Sequence, residues 1–189
     1  MNWIDEVAIK LKKKNQVLLA KNSAYLQDLL TLFQDQNHKV MTLWAFDFAA
    51  ESITELEEKY PEEQRPREAL AAAQDWAAGK VKMRWAQRKI LDCHAFAKEI
   101  DRKEDIATCH AIGQACAVVH TAGHAIGYPI YDLTAIIYRL GIENCVEAVE
   151  KRKQDYIDRL FYWNEHYSDY KGEWASFIQK EKVEGKKHD

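Results

Sequence analysis

An all-α fold in a single compact domain, built of antiparallel helical hairpins around a central uncharged helix, is what this sequence of 189 residues predicts. Three observations carry the prediction. Chain-breakers are few, with seven Gly and three Pro, and between them run long stretches rich in the stronger helix formers Ala, Leu, Glu, Lys and Gln. Apolar residues recur at steps of three and four along most of the chain, the period that lines one helical face. One stretch, Ile106 to Tyr131 (IATCHAIGQACAVVHTAGHAIGYPIY), holds no Asp, Glu, Lys or Arg in a protein that is 30% charged. A length of this order suits one domain with a real core, so residues 1–189 are read as one helical unit whose Lys- and Glu-rich tail frays after about residue 180.

The elements follow in order. Trp3 to Lys14 is a short outer helix, its Lys run at the C-terminal end where the dipole favours cations. Ser23, a plausible N-cap, opens a second helix to Phe33. Lys39 to Tyr60 forms a third, with Trp44, Phe46, Phe48, Ile53 and Leu56 as core. Pro61 stops it, and Pro66 fits the first turn of a fourth helix that runs to Ala78, where Gly79 supplies the left-handed closing residue. Lys80 to Ile100 is the fifth, with His94 beside its apolar seam. The central helix begins near Glu104 and extends to about Gly127; a further apolar helix ends at Gly141, and Glu143 to Tyr167 makes a long amphipathic one.

At 100° per residue, His110, Gly113, Gln114, Ala117, His120, Thr121 and His124 fall on one arc of the central stretch, with Ile112, Val119 and Ile126 opposite. His94, His120 and His124 are therefore read as a candidate polar seam of neutral, hydrogen-bonded imidazoles. His120 and His124 have the spacing of a two-His metal site, but HTAGH lacks the Glu of a zinc-protease HExxH, and a full shell would need His94, His110, Asp92 or a Cys from elsewhere. The stretch is long enough to span a membrane, yet three His, a Gln, a Thr and a Pro inside it argue for the centre of a helical bundle.

The four Cys lie in helical patterns without CxxC pairs and read as reduced core residues. No catalytic residue, metal or cofactor is expected. A formal charge of −3 gives no global reason to bind nucleic acid or anionic membrane, and MNWIDEVAIKLKKK lacks the apolar run of a signal peptide, so a cytoplasmic protein is expected. Asp47, an acid among aromatics, calls for a cationic partner, and an Arg fork from Arg65 or Arg67 is the preferred mate, with Asp75 the other acid those arginines could meet.

Taken in order, RPREAL, DWAAG, WAQRKILDCHAFAKEI and CHAIGQACAVVHTAGHAIGYPIY give the chain a resemblance. From about Trp44 to Tyr138 it resembles a bacterial family of putative immunity proteins, the immunity-protein-five-like domain of toxin/immunity systems. The resemblance covers Trp44, Asp47, Arg65, Pro66, Arg67, Trp76, Gly79, Arg88, His94, His120 and His124; the first forty residues and the last fifty lie outside it. It implies a helical cytoplasmic protein that binds and neutralises a cognate protein toxin and has no catalytic activity. The alternative is a metal- or histidine-dependent enzyme, or a small-ligand binder, using His94, His120 and His124; a nucleic-acid-associated helical protein stands third.

The candidate partner surface lies between Gln154 and Trp174. There Tyr162, Tyr167 and Tyr170 stand among Asp155, Asp158, Glu165, Asp169 and Glu173, while Tyr156, Leu160 and Trp163 make one helical stripe suited to packing. Tyr and Trp are favoured interface anchors, and acids steer a basic partner such as a nuclease-type toxin.

Overall fold

The computed structural model describes residues 2–179; the tail beyond about residue 180 lies outside them. Among the described residues there are nine α-helices and no strand: α1 Trp3–Lys12, α2 Gln27–Gln34, α3 His38–Lys59, α4 Arg65–Ala77, α5 Met83–Phe96, α6 Lys103–Ala117, α7 Gly127–Leu140, α8 Val146–His166 and α9 Ser176–Gln179. The all-α single domain is as the sequence predicts. α6 is its centre, packed against α3, α4, α5 and α7, with α3 and α7 in turn meeting α8.

Local signals explain most boundaries. Asn37 caps α3, its side-chain oxygen accepting from Lys39 N–H at 2.8 Å. Pro66 sits in the first turn of α4, and Gly79 (φ +77°) and Gly141 (φ +77°) take the left-handed conformation after α4 and α7. Ser23 does not cap its helix: its hydroxyl donates to Glu6 Oε2 at 2.7 Å instead, and a 3₁₀ turn at Ala24–Leu26 precedes α2. The last described segment, which the sequence left unplaced, docks on α4, where Ala175 N–H donates to Ala77 O at 2.7 Å and Phe177 packs 5.8 Å from Trp76.

The central stretch is not one helix. α6 ends at Ala117; a turn through Val118 and Val119, both wholly buried, leads to Thr121 in extended conformation, then to a 3₁₀ turn at Ala122–His124 and on to α7. His38 Nε2 lies 2.7 Å from Val118 O; a carbonyl only accepts, so the imidazole donates, satisfying a carbonyl at the end of α6. Thr121 Oγ1 holds the start of the next turn through Gly123 N–H at 3.4 Å. The carbonyl at the end of α6 is thus met by a tertiary contact from the first residue of α3.

Asp47 does not meet the Arg-Pro-Arg turn. It lies about 18 Å along α3 from its end at Lys59, at roughly 1.5 Å per residue, and faces α8, where Arg159 Nη1 (2.7 Å) and Trp163 Nε1 (2.8 Å) both donate to its Oδ2. Arg65 instead forks onto Glu63 and Glu99 at 2.6–2.8 Å and lies 5.1 Å over the Phe96 ring. Arg67 pairs with Glu57, and Asp75 lies 3.8 Å from Lys80.

The core centres on four rings from three helices: Trp44 and Phe48 on α3, Tyr128 on α7 and Tyr156 on α8, each at most 1% exposed. Their centroids lie 4.9–6.1 Å apart, mostly edge to face. Trp44 Nε1 donates to Tyr156 O at 2.9 Å. Tyr128 donates to Phe48 O and accepts from Arg152 Nη2 (3.0 Å), with Ser52 Oγ at 2.8 Å. Tyr156 donates to Asp132, which also accepts from Arg152 Nε at 2.7 Å. Replacing Arg152 with Met leaves Asp132, 8% exposed, with the Tyr156 hydroxyl alone and should cost about 3–5 kcal/mol. Asp132→Asn in that background should restore much of the loss in urea unfolding; additive effects would mean that the pair is not coupled.

Candidate functional site

The three histidines named from sequence do not form one seam: His94 is on α5, and α6 ends before His120 and His124. His94 on α5 meets His110 on α6 instead, Nδ1 to Nδ1 at 2.8 Å, so one ring donates and the other accepts. Gly113 makes room for His94, since a Cβ there would lie 2.3 Å from its Cε1, and His110 rests 5.3 Å from the Tyr131 ring. His120 is exposed and stacks over Trp76 at 6.2 Å and 24°. His124 is half-buried, 6.3 Å from His120, and lines a cleft against Gln114 and Gly127. Among the described residues no group of three or more His, Cys, Asp or Glu is placed to hold a metal ion. All four Cys are buried and unpaired; burial pushes the Cys93 thiol up to about 12 and raises those of Cys109 and Cys116, which removes them from use as nucleophiles at neutral pH.

α8 carries two different faces. Val149, Tyr156 and Leu160 are buried, and beside them Arg152 and Arg159 turn inward over the Phe48 ring at 4.7 and 5.4 Å. Glu51 accepts from both, at 2.7 and 3.3 Å. Burial works against the charge of Arg152, but the Asp132 carboxylate at 2.7 Å outweighs it and keeps the guanidinium protonated. These arginines are spent on the fold.

The outer face is aromatic and acidic. Phe161 is 54% exposed and Tyr162 48%, and Tyr162 stacks flat on His166 at 4.4 Å and 15°. A cleft of about 520 Å³ opens between α3 and α8, with Tyr162, Asp155 and Asp158 on its lining beside Glu51. Beyond the helix Tyr170 is 39% exposed and packs 5.0 Å from Trp174, whereas Tyr167 is half-buried against the core. Phe161 is the exposed anchor that sequence reasoning missed; it follows the stripe residue Leu160 directly, and only its acidic neighbourhood hinted at an outward position. Of the other residues singled out, Trp44 and Trp76 are core, Pro66 is buried in the first turn of α4, and Arg88 is exposed on α5.

Stability should depend on pH through His94. Burial, reinforced by His110, lowers its pKa from 6.5 to about 4, so between those values the unfolded chain binds a proton there that the folded chain does not. Stability is then fully present above about pH 6.5 and falls as pH drops toward 4, by an amount on the order of 2–3 kcal/mol. His94→Gln should flatten that part of the profile in denaturant unfolding; an unchanged slope would mean that His94 titrates normally in the folded chain.

No curated protein and no solved structure matches the chain. The family described as Imm-5 like putative immunity protein matches residues 31–160, from within α2 nearly to the end of α8. That is wider at both ends than the stretch from about Trp44 to Tyr138, and it takes in Arg152 and Arg159 together with their partners Asp47, Glu51 and Asp132. With the matched segment covering well over half of the chain and taking in α3 to α7 whole and most of α8, the chain belongs to the Imm-5 like putative immunity protein family.

Proposed function

We propose that this chain is an immunity protein that binds a cognate bacterial protein toxin through the outer face of α8 and the turn after it, and that it neutralises the toxin by occupying it, without catalysis. The observation that supports this reading is the exposure of three large rings along α8 and the turn after it, Phe161, Tyr162 and Tyr170, each at least 39% exposed, with Tyr162 lining the α3–α8 cleft beside Asp155 and Asp158. Large rings left in water are costly unless a partner covers them, and they make the strongest anchors when one does. The surrounding carboxylates suit a basic partner and speed its approach. Tyr162 and Tyr170 lie past the end of the segment shared with the family, a place where a surface matched to one particular toxin can differ without disturbing the common core. The partner is a protein, with neither nucleic acid nor membrane involved; no helix among the described residues is long and apolar enough to cross a membrane. Such a protein acts in the cytoplasm of the bacterium that makes the toxin.

The reading is tested by capture of the toxin encoded beside the gene, with binding measured by calorimetry. Tyr162→Ala and Tyr170→Ala should each weaken binding by about tenfold or more, on the order of 1–2 kcal/mol, with Tm unchanged. Tyr167→Ala should instead lower Tm, because that ring packs on the core. Asp158→Lys should slow association and reduce its dependence on salt. Wild-type affinity in both Tyr162→Ala and Tyr170→Ala would remove this face from consideration.

A further inference from the structure

The break between α6 and α7 opens a second cleft, of about 510 Å³, on the side of the molecule formed by α1, the loop after it and the start of α7. Its charge is opposite to that of the α8 face. No Asp or Glu is among its lining residues, while Lys10, Lys21 and His124 are, in a protein of net charge −3. Glu6 engages Lys10 at 2.7 Å; Lys21 has no carboxylate within salt-bridge distance among the described residues. Gly127 opens α7, so the positive end of that helix's dipole adds to the same field.

The lining also has the two other properties of a binding site. Leu19, Ile126 and Ile130 give it an apolar floor, and the Gln114 amide and His124 imidazole stand in it with no hydrogen-bond partner among the described residues. Gly127 is what leaves Gln114 there, since a Cβ at that position would lie 2.4 Å from its Oε1. Pockets of this size commonly combine an apolar surface with a few polar groups that fix orientation.

We propose that this cleft binds a small organic carboxylate with a short apolar tail, the carboxylate meeting Lys21, His124 and the Gln114 amide and the tail lying on Leu19, Ile126 and Ile130. The site is separate from the toxin-binding face and does not depend on it. Hexanoate titrated into the full chain, followed through the ring C–H resonances of His124 assigned with a His124→Gln variant, should give a saturating shift. It should also raise the imidazole pKa, because a bound carboxylate favours the charged ring. Hexanamide, which keeps the tail and loses the charge, and acetate, which keeps the charge and loses the tail, should each bind about tenfold more weakly or worse. Lys21→Gln should weaken hexanoate about tenfold with Tm unchanged, since Lys21 is exposed, and Lys12→Gln, outside the cleft, should leave its affinity as it was. Equal binding of hexanamide and hexanoate, absence of a saturating shift, or full affinity in Lys21→Gln would each overturn the proposal.

Discussion

A carboxylate buried in a helical core has to be answered by a cation and by hydrogen bonds, and the pairing of Asp132 with Arg152 is the constraint on which the packing of α3, α7 and α8 depends. Arg152 reaches it from α8 while donating to Glu51 of α3 and to the Tyr128 hydroxyl of α7. Its guanidinium plane lies over Phe48, so the same group closes the polar edge of the aromatic cluster and packs on its apolar side. A fork of fixed geometry does what a Lys could not, because several acceptors on different helices must be met at once. Arg159, two turns further along, repeats the arrangement with Asp47 and Glu51. Between them the two arginines set the angle and height at which α8 crosses the bundle.

That inward commitment shapes what α8 can offer to water. With Arg152 and Arg159 held by α3 and α7, the carboxylates Asp155, Asp158 and Glu165 outnumber Lys151 on the outer face, and the face is acidic although the helix contains many cations. On the far side of α6 the charge reverses. There the interruption after Ala117 turns the chain, places Gly123, His124 and Gly127 at a surface and leaves a cleft edged by lysines. One chain therefore presents two regions of opposite character, separated by a core whose charges are internally matched.

The composition and period of the sequence determined the fold class, the order of the helices and most of their ends, because few breakers, a steady three-four apolar step, Pro66 and the two left-handed glycines act through local sterics and hydrogen bonding alone. The burial of Trp44, Trp76, Tyr156 and Leu160 was legible for the same reason. Of the three tyrosines taken together from the sequence, Tyr162 and Tyr170 are exposed and Tyr167 packs on the core, a division that rings set among acids do not announce. Tertiary structure alone decided the partner of Asp47, because distance along a chain carries no information about which helix a buried acid will face, and Arg159 lies 112 residues away. It also decided what meets the end of α6: His38, 80 residues upstream, donates to the carbonyl of Val118, a contact that no local pattern announces. The predicted seam of His94, His120 and His124 came apart with the end of α6: His94 pairs with His110, both half-buried, while His120 and His124 lie beyond the helix, since residues share a helical face only where the helix continues.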